Sequence, residues 1–358
     1  MTKRFNQLAG AAALSLAVAA PAFADIKLND NFSVGGYAVG SANYVEIKPS
    51  EGDKVSTSKL DGDAYKFWSN ITFAPVTGTI SFYAGQSGQP VILDAYATYD
   101  AGGGTKITFG KFLSWLGYEA FDPINMTQIT YGWDTAGTSG MGFALANIPA
   151  YHTGVKVDVG NDTYGAGVAV LDSVDPVFVN GIPSKGDGDL KNGPGFEAYF
   201  TYKGVKDLTL WAGATYEHNT GVQGLDFETT PYGVDIDKMA LDLWAQYVVG
   251  DTTYAAEYSV RKDDSKVAFI PDQISTFWLA EVQQTIDKQW AITARVSWVG
   301  IDYKDTEAPD PSAVKFTIAP TLTLTPNLSI VGEYSYIKYH KADWKDGNFV
   351  AAQVRFKF

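Results

Sequence analysis

Side chains that alternate between apolar and polar with a period of two recur along most of the chain, and few folds can satisfy that pattern so often. In 289–301, Trp290, Ile292, Ala294, Val296 and Trp298 share one face, while Thr293, Arg295 and Ser297 share the other. In 252–261, Tyr254, Ala256, Tyr258 and Val260 oppose Thr253, Glu257, Ser259 and Arg261. Such alternation marks a strand with one apolar and one wet face. Sixteen segments read this way, at about 32–43, 65–74, 78–84, 91–100, 105–111, 151–159, 162–171, 195–203, 207–218, 237–249, 252–261, 275–285, 289–301, 313–323, 327–338 and 347–358. Segments 78–84 and 105–111 are brief, and 112–150 could hold another hairpin, so the pattern is compatible with 14 to 18 strands.

The connections alternate between short and long. The short ones, at 75–77, 101–104, 160–161, 204–206, 250–251, 286–288 and 324–326, are rich in Gly, Asn, Asp and Pro, as tight turns require. The long ones fall at 44–64, 85–90, 112–150, 172–194, 219–236, 262–274, 302–312 and 339–346. Short turns at one rim and long loops at the other describe an all-β, transmembrane antiparallel β-barrel with both termini on the periplasmic side. A soluble β-sandwich would also alternate, but its connections need not follow this rule. Trp290 and Trp298 sit near opposite ends of one apolar face, where amphipathic rings would meet the two lipid headgroup layers.

The head of the chain has a different character. Lys3 and Arg4 precede an Ala-rich apolar run from Leu8 to Ala20, followed by Pro21-Ala22-Phe23-Ala24. That order predicts a secretory signal peptide over 1–24, cleaved before Asp25, with the barrel occupying 25–358. Of the 27 basic residues, Lys3 and Arg4 fall in this leader, leaving 25 against 40 acidic, a net charge near −15. Such a balance argues against a nucleic-acid partner, because phosphate binding needs a basic face. The chain has no cysteine, so a closed hydrogen-bonded sheet rather than disulfides must hold it together.

The last strand, 347–358, places Val350, Ala352, Val354, Phe356 and Phe358 on one face and Ala351, Gln353, Arg355 and Lys357 on the other. Alternation ending on a terminal Phe resembles the β-signal of Gram-negative outer-membrane proteins. It implies insertion by the barrel-assembly machinery through Phe358 and an outer-membrane location. Strand pairing with an aromatic anchor is a sound basis for such recognition, since an unpaired edge is a template for another strand.

A second resemblance lies in 110–154. Gly110-Lys111-Phe112, Gly117-Tyr118-Glu119, Asn125, Thr130-Tyr131, and Pro149 with His152-Thr153-Gly154 resemble the pattern of the putative β-barrel porin-2, OmpL-like family. The resemblance implies an outer-membrane channel; a barrel of about sixteen strands would leave a water-filled passage for passive diffusion of small hydrophilic solutes, without a cofactor, and many porins are homotrimers. The resemblance leaves the solute open. The same stretch contains the longest connection, which makes 112–150 the third outer loop. Long loops of this kind are often functional, and in general porins the third loop folds into the lumen. Phe112, Trp115, Leu116, Tyr118, Phe121 and Met126 could pack on the wall, leaving Glu119, Asp122 and Asp134 toward the passage.

The polar strand faces carry balanced charge. Lys66, Lys106, Lys156, Lys238, Arg261, Arg295, Lys315 and Arg355 are matched by Asp94, Asp158, Glu197, Glu217, Asp242, Glu257, Glu281 and Glu333. Pairing across the turn at 286–288 should bring Glu281 beside Arg295. Charge rings set selectivity in pores, so Glu119 and Asp122 are expected to face Arg295, Arg261 or Lys66. Lumenal charges that merely satisfy one another are the plainer reading. Three other functions stay open. Inward Trp68, Tyr199, Trp211 and Trp244 could stack sugars in a substrate-specific channel. The loop could plug a structural or adhesin barrel. An enzyme is disfavoured, because His152, His218 and His340 lie apart and no catalytic or metal-binding spacing stands out.

Overall fold

The computed structural model describes residues 25–85, 89–134, 147–174, 176–179, 182–186, 190, 193–220, 235–265, 272–304, 310–340 and 344–358. The expected leader at 1–24 and its cleavage lie outside them. Sixteen antiparallel strands close into a barrel. In chain order they are β1 (Phe32–Pro49), β2 (Val55–Phe73), β3 (Val76–Gly85), β4 (Val91–Gly102), β5 (Thr105–Leu113), β6 (Tyr151–Gly160), β7 (Tyr164–Leu171), β8 (Gly195–Tyr202), β9 (Leu208–Thr220), β10 (Asp235–Val249), β11 (Thr252–Ser265), β12 (Gln273–Thr285), β13 (Trp290–Tyr303), β14 (Ser312–Thr325), β15 (Leu328–His340) and β16 (Trp344–Lys357). Each pairs with the next, and β16 pairs with β1 to close the ring.

The expected register holds. On β16, Val350, Val354 and Phe356 are exposed on the outside, while Ala351, Gln353 and Arg355 are buried inside. Glu281 is the direct cross-strand partner of Arg295. The seam closes through main-chain bonds in both directions between Gly36 and Phe358, each 3.0 Å. Gly36 is needed there, because a Cβ would lie 2.4 Å from the Phe358 ring.

Three features depart from expectation. The stretch 44–64 is not a long loop: β1 and β2 run on together beyond the rest of the wall and turn only at 50–54. Above the lipid both faces meet water, so the apolar alternation that marks a strand fades although the ladder continues. A short N-terminal strand, Ile26–Asn29, pairs with the start of β1, and an outer hairpin joins Pro176–Val179 to Ile182–Gly186. The described part of 112–150 holds no extra hairpin, only a single 3₁₀ turn at Pro123–Asn125.

Candidate functional site

The third outer connection turns into the barrel, and its root explains the sequence motif there. Gly110 and Gly154 face each other across β5 and β6. Gly110 has φ +127°, and a Cβ would come within 2.2 Å of the Ala95 carbonyl oxygen; one on Gly154 would come within 2.3 Å of the Val170 carbonyl oxygen. Only glycine fits such close main-chain approach. Beside them His152 is fully buried, with Nε2 3.0 Å from Glu197 Oε2 and Nδ1 3.1 Å from the Val174 carbonyl. Glu197 also accepts from Ser114 Oγ at 2.6 Å and Trp115 N at 2.7 Å, which starts the chain inward.

From there the loop is tied to the wall around most of its circumference. Gly117 N donates to Asp242 on β10 at 2.7 Å and Tyr118 N to Glu257 on β11 at 2.9 Å. Glu119 pairs with Arg295 on β13. Asp122 accepts from Tyr37 at 2.9 Å and from Lys66 at 3.0 Å, and Lys66 also reaches Asp94 at 3.1 Å. Arg355 donates to the carbonyls of Met126 and Gln128 at 2.5 and 2.7 Å. Ile129 N and Thr130 N donate to Glu333 at 2.6 and 2.9 Å. Lys315 donates to the carbonyls of Tyr131 and Asp134 at 3.0 and 2.7 Å. A segment with almost no secondary structure buries main-chain groups that need partners. The charged wall supplies them, as carboxylates to the amides and cations to the carbonyls.

Apolar contacts complete the fit. Trp115, Leu116, Tyr118 and Met126 are buried, and so is Phe112 at the end of β5. Phe121 packs edge-on against Tyr151. Tyr199, Trp211 and Trp244 form a row of near-parallel rings 6.2 and 5.8 Å apart, covered by Trp115 and Tyr118. Trp68 lies elsewhere, donating to Asp25 at 3.0 Å. Burial, together with nearby carboxylates, holds the Tyr118 hydroxyl of the loop well above the ordinary tyrosine range, so it stays neutral. A small solvent-open cleft of about 20 Å³ lies between the two arms of the loop, lined by Tyr118, Glu119, Asn125, Thr127, Gln128 and Glu281 among others.

Of the residues singled out in the sequence, Glu119 meets Arg295 and Asp122 meets Lys66. Glu281 accepts from Gln128 Nε2 at 2.8 Å, and the same amide reaches Glu119 at 2.9 Å. Glu257 and Arg355 hold loop main chain. The main-chain carbonyl of Asp134, rather than its carboxylate alone, engages the wall. Arg261 does not meet Glu119 or Asp122 as expected; it pairs with Asp263 at 2.8 Å on its own strand, because it lies nearer the outer rim than the loop's charged arm. Glu197, Asp242, Glu333 and Lys315 are loop anchors that sequence reasoning recognised only as lumenal charges. Each binds at least one peptide group of the loop, which no residue letter records.

No curated protein matches the chain. Among solved structures, the outer-membrane channel DcaP of Acinetobacter baumannii superposes with a TM-score of 0.64 at 15% identity, covering 94% of this chain and 100% of that one. The anion-selective porin of Comamonas acidovorans gives 0.60 at 12%, with coverages of 91% and 99%. OmpT of Vibrio cholerae in its trimer form gives 0.60 at 14%, with coverages of 92% and 100%. These likenesses establish the barrel fold. The family model described as Putative beta-barrel porin-2, OmpL-like, matches residues 69–358, an interval that includes the glycine-flanked root, the whole inward loop and every later strand, and the chain belongs to that family.

Proposed function

We propose that loop 112–150 is the selecting element of this outer-membrane channel, with Glu119, Asp122, Arg295 and Lys66 setting the cross-section and field of the passage. Passive diffusion of small hydrophilic solutes follows from the family and the closed sixteen-strand barrel, which is wide enough to enclose water. The observation that carries the constriction reading is the circuit of bonds from Ser114 to Asp134, which holds the loop across the lumen at the level of the wall charges. Its acids are matched by wall cations, so the loop narrows the passage more than it charges it. The acidic excess outside the wall supports a mild cation preference. The anion-selective Comamonas relative shares the fold at only 12% identity and does not argue against this.

Reconstitution into planar bilayers with solute-swelling assays tests the reading. Steady steps, with a larger conductance in the double variant Glu119→Gln/Asp122→Asn, are expected. No steps from refolded protein would favour a plugged barrel, and current blocked by sugars would favour a substrate-specific one. Anion preference in a salt gradient would remove the cation assignment.

Two further elements belong to this proposal. The leader is cleaved before Asp25, whose carboxylate accepts from Trp68, Asn70 at 2.6 Å and Ser33 at 3.2 Å on the inner wall. The barrel is a homotrimer. Strands β7 and β8 have eight residues each. At ~3.3 Å per residue and a tilt near 40° they span about 20 Å, less than the apolar band of about 25 Å. A neighbouring copy against this low wall would cover the deficit.

A further inference from the structure

Nearly every charge that holds the loop has a counter-charge in contact with it or beside it. Arg295 has Glu119, Lys66 has Asp94 and Asp122, and Glu197 has His152. Lys315 and Glu333 converge on Thr130, whose hydroxyl bonds to both. Asp242 on β10 and Glu257 on β11 differ. Both are buried. They are diagonal neighbours on the inner face, since Asp242 opposes Ser259 and Glu257 opposes Trp244. One oxygen of each accepts a consecutive loop amide, from Gly117 and Tyr118. The other oxygens, Asp242 Oδ1 and Glu257 Oε2, meet no donor, and the diagonal register sets the two carboxylates side by side on the inner face.

The groups around the pair do not neutralise it. On the loop, Tyr118 and Glu119 face it. On β9, Asp242 opposes Gly213, which carries no charge. On β10 and β11, Lys238 and Arg261 stand four residues nearer the outer rim. On β12, Leu279 opposes Glu257, and Glu281 lies two residues on. On β13, Arg295 is held by Glu119. Two adjacent ionised carboxylates in such a place would repel strongly, and each would keep an unsatisfied oxygen. A single proton between the two free oxygens removes both costs, leaving one acid, one carboxylate and an O–H···O bond.

We propose that Asp242 and Glu257 share one proton and act as a pH-sensitive latch on the turn Gly117–Glu119, the hinge of the constriction loop. This rests on the loop being the constriction. With the proton in place, the pair presents two fixed acceptors to consecutive amides. When alkali removes it, the strands cannot part, because their ladder is continuous. The longer Glu257 side chain turns away, Tyr118 N loses its acceptor, and the hinge loosens. Gly117, at φ +101°, is a conformation that glycine adopts at little cost, so the hinge can move without a side chain obstructing it.

Single-channel recording of the reconstituted full chain from neutral to alkaline pH tests this, with infrared spectroscopy of the same protein. Wild type should show gating events that increase severalfold with pH, and a protonated-carboxyl stretching band that fades over the same range. Glu257→Gln keeps an acceptor for Tyr118 N and turns an amide N–H toward Asp242, and Asp242→Asn does the converse. Each single variant should stay quiet at all pH and lack the band. The double variant places two NH₂ groups face to face and should gate at every pH. A wild-type band absent at neutral pH, or single variants that retain the wild-type pH response, would overturn the latch. Both outcomes leave the constriction itself intact, since that is read from the Glu119/Asp122 variant.

Discussion

At Arg295 the chemistry of the site is concentrated in one side chain. It pairs with Glu119, donates to the Thr130 carbonyl at 2.8 Å and to Thr317 at 3.3 Å, and is buried. Removing one member of a buried pair leaves the other charge uncompensated, at a cost of about 3–5 kcal/mol. Arg295→Met should therefore destabilise the folded barrel by that order in a denaturant titration. It should also free the arm bearing Glu119, seen as a larger and noisier conductance. An unchanged unfolding midpoint would show that Glu119 finds other solvation and that the pair is not structural. That Arg295 faces inward was legible in the alternation of 289–301. That it would meet Glu119 was one of several pairings the sequence allowed, and its bond to a peptide carbonyl was beyond sequence reading.

At the scale of elements, the root of the loop decides whether the constriction exists. At Gly110 β5 lies so close to β4, and at Gly154 β6 lies so close to β7, that a methyl group on either would strike the main chain of the neighbouring strand. Gly154→Ala must push β7 away or move the start of the loop, and overpacking of this kind costs roughly 1–3 kcal/mol. The expected result is a barrel that still shows heat-modifiable migration but loses protection of the 114–134 segment against protease. Full protection would mean the strands can shift to admit the methyl group. The motif from Gly110 to Gly154 signalled a resemblance before its mechanics were visible; pairing in the structure turns it into a statement about close approach. The outer extension of β1 and β2 was illegible for the opposite reason. Ser50, Glu51, Gly52 and Asp53 mark a turn, but Ser56, Thr57, Ser58 and Lys59 have no apolar alternation, because no lipid touches them.

For the whole molecule, the outer surface is as diagnostic as the lumen. Leu241, Leu243 and Tyr247 on β10 are exposed, while their neighbours Asp242, Trp244 and Gln246 turn inward. In water such a face would be an association hazard; in lipid it is what holds the barrel at depth. Leu243 lies near the middle of a fifteen-residue strand, so Leu243→Arg places a charge near the bilayer midplane. The cost there is about 2–4 kcal/mol, and it falls toward zero at the interfaces. The same change at Tyr247, nearer the periplasmic rim, should cost much less. Paired unfolding titrations in lipid vesicles measure the difference. Equal costs at the two depths would mean that β10 is covered by protein rather than lipid, which would move the subunit contact from the low wall at β7 and β8 to the tall one.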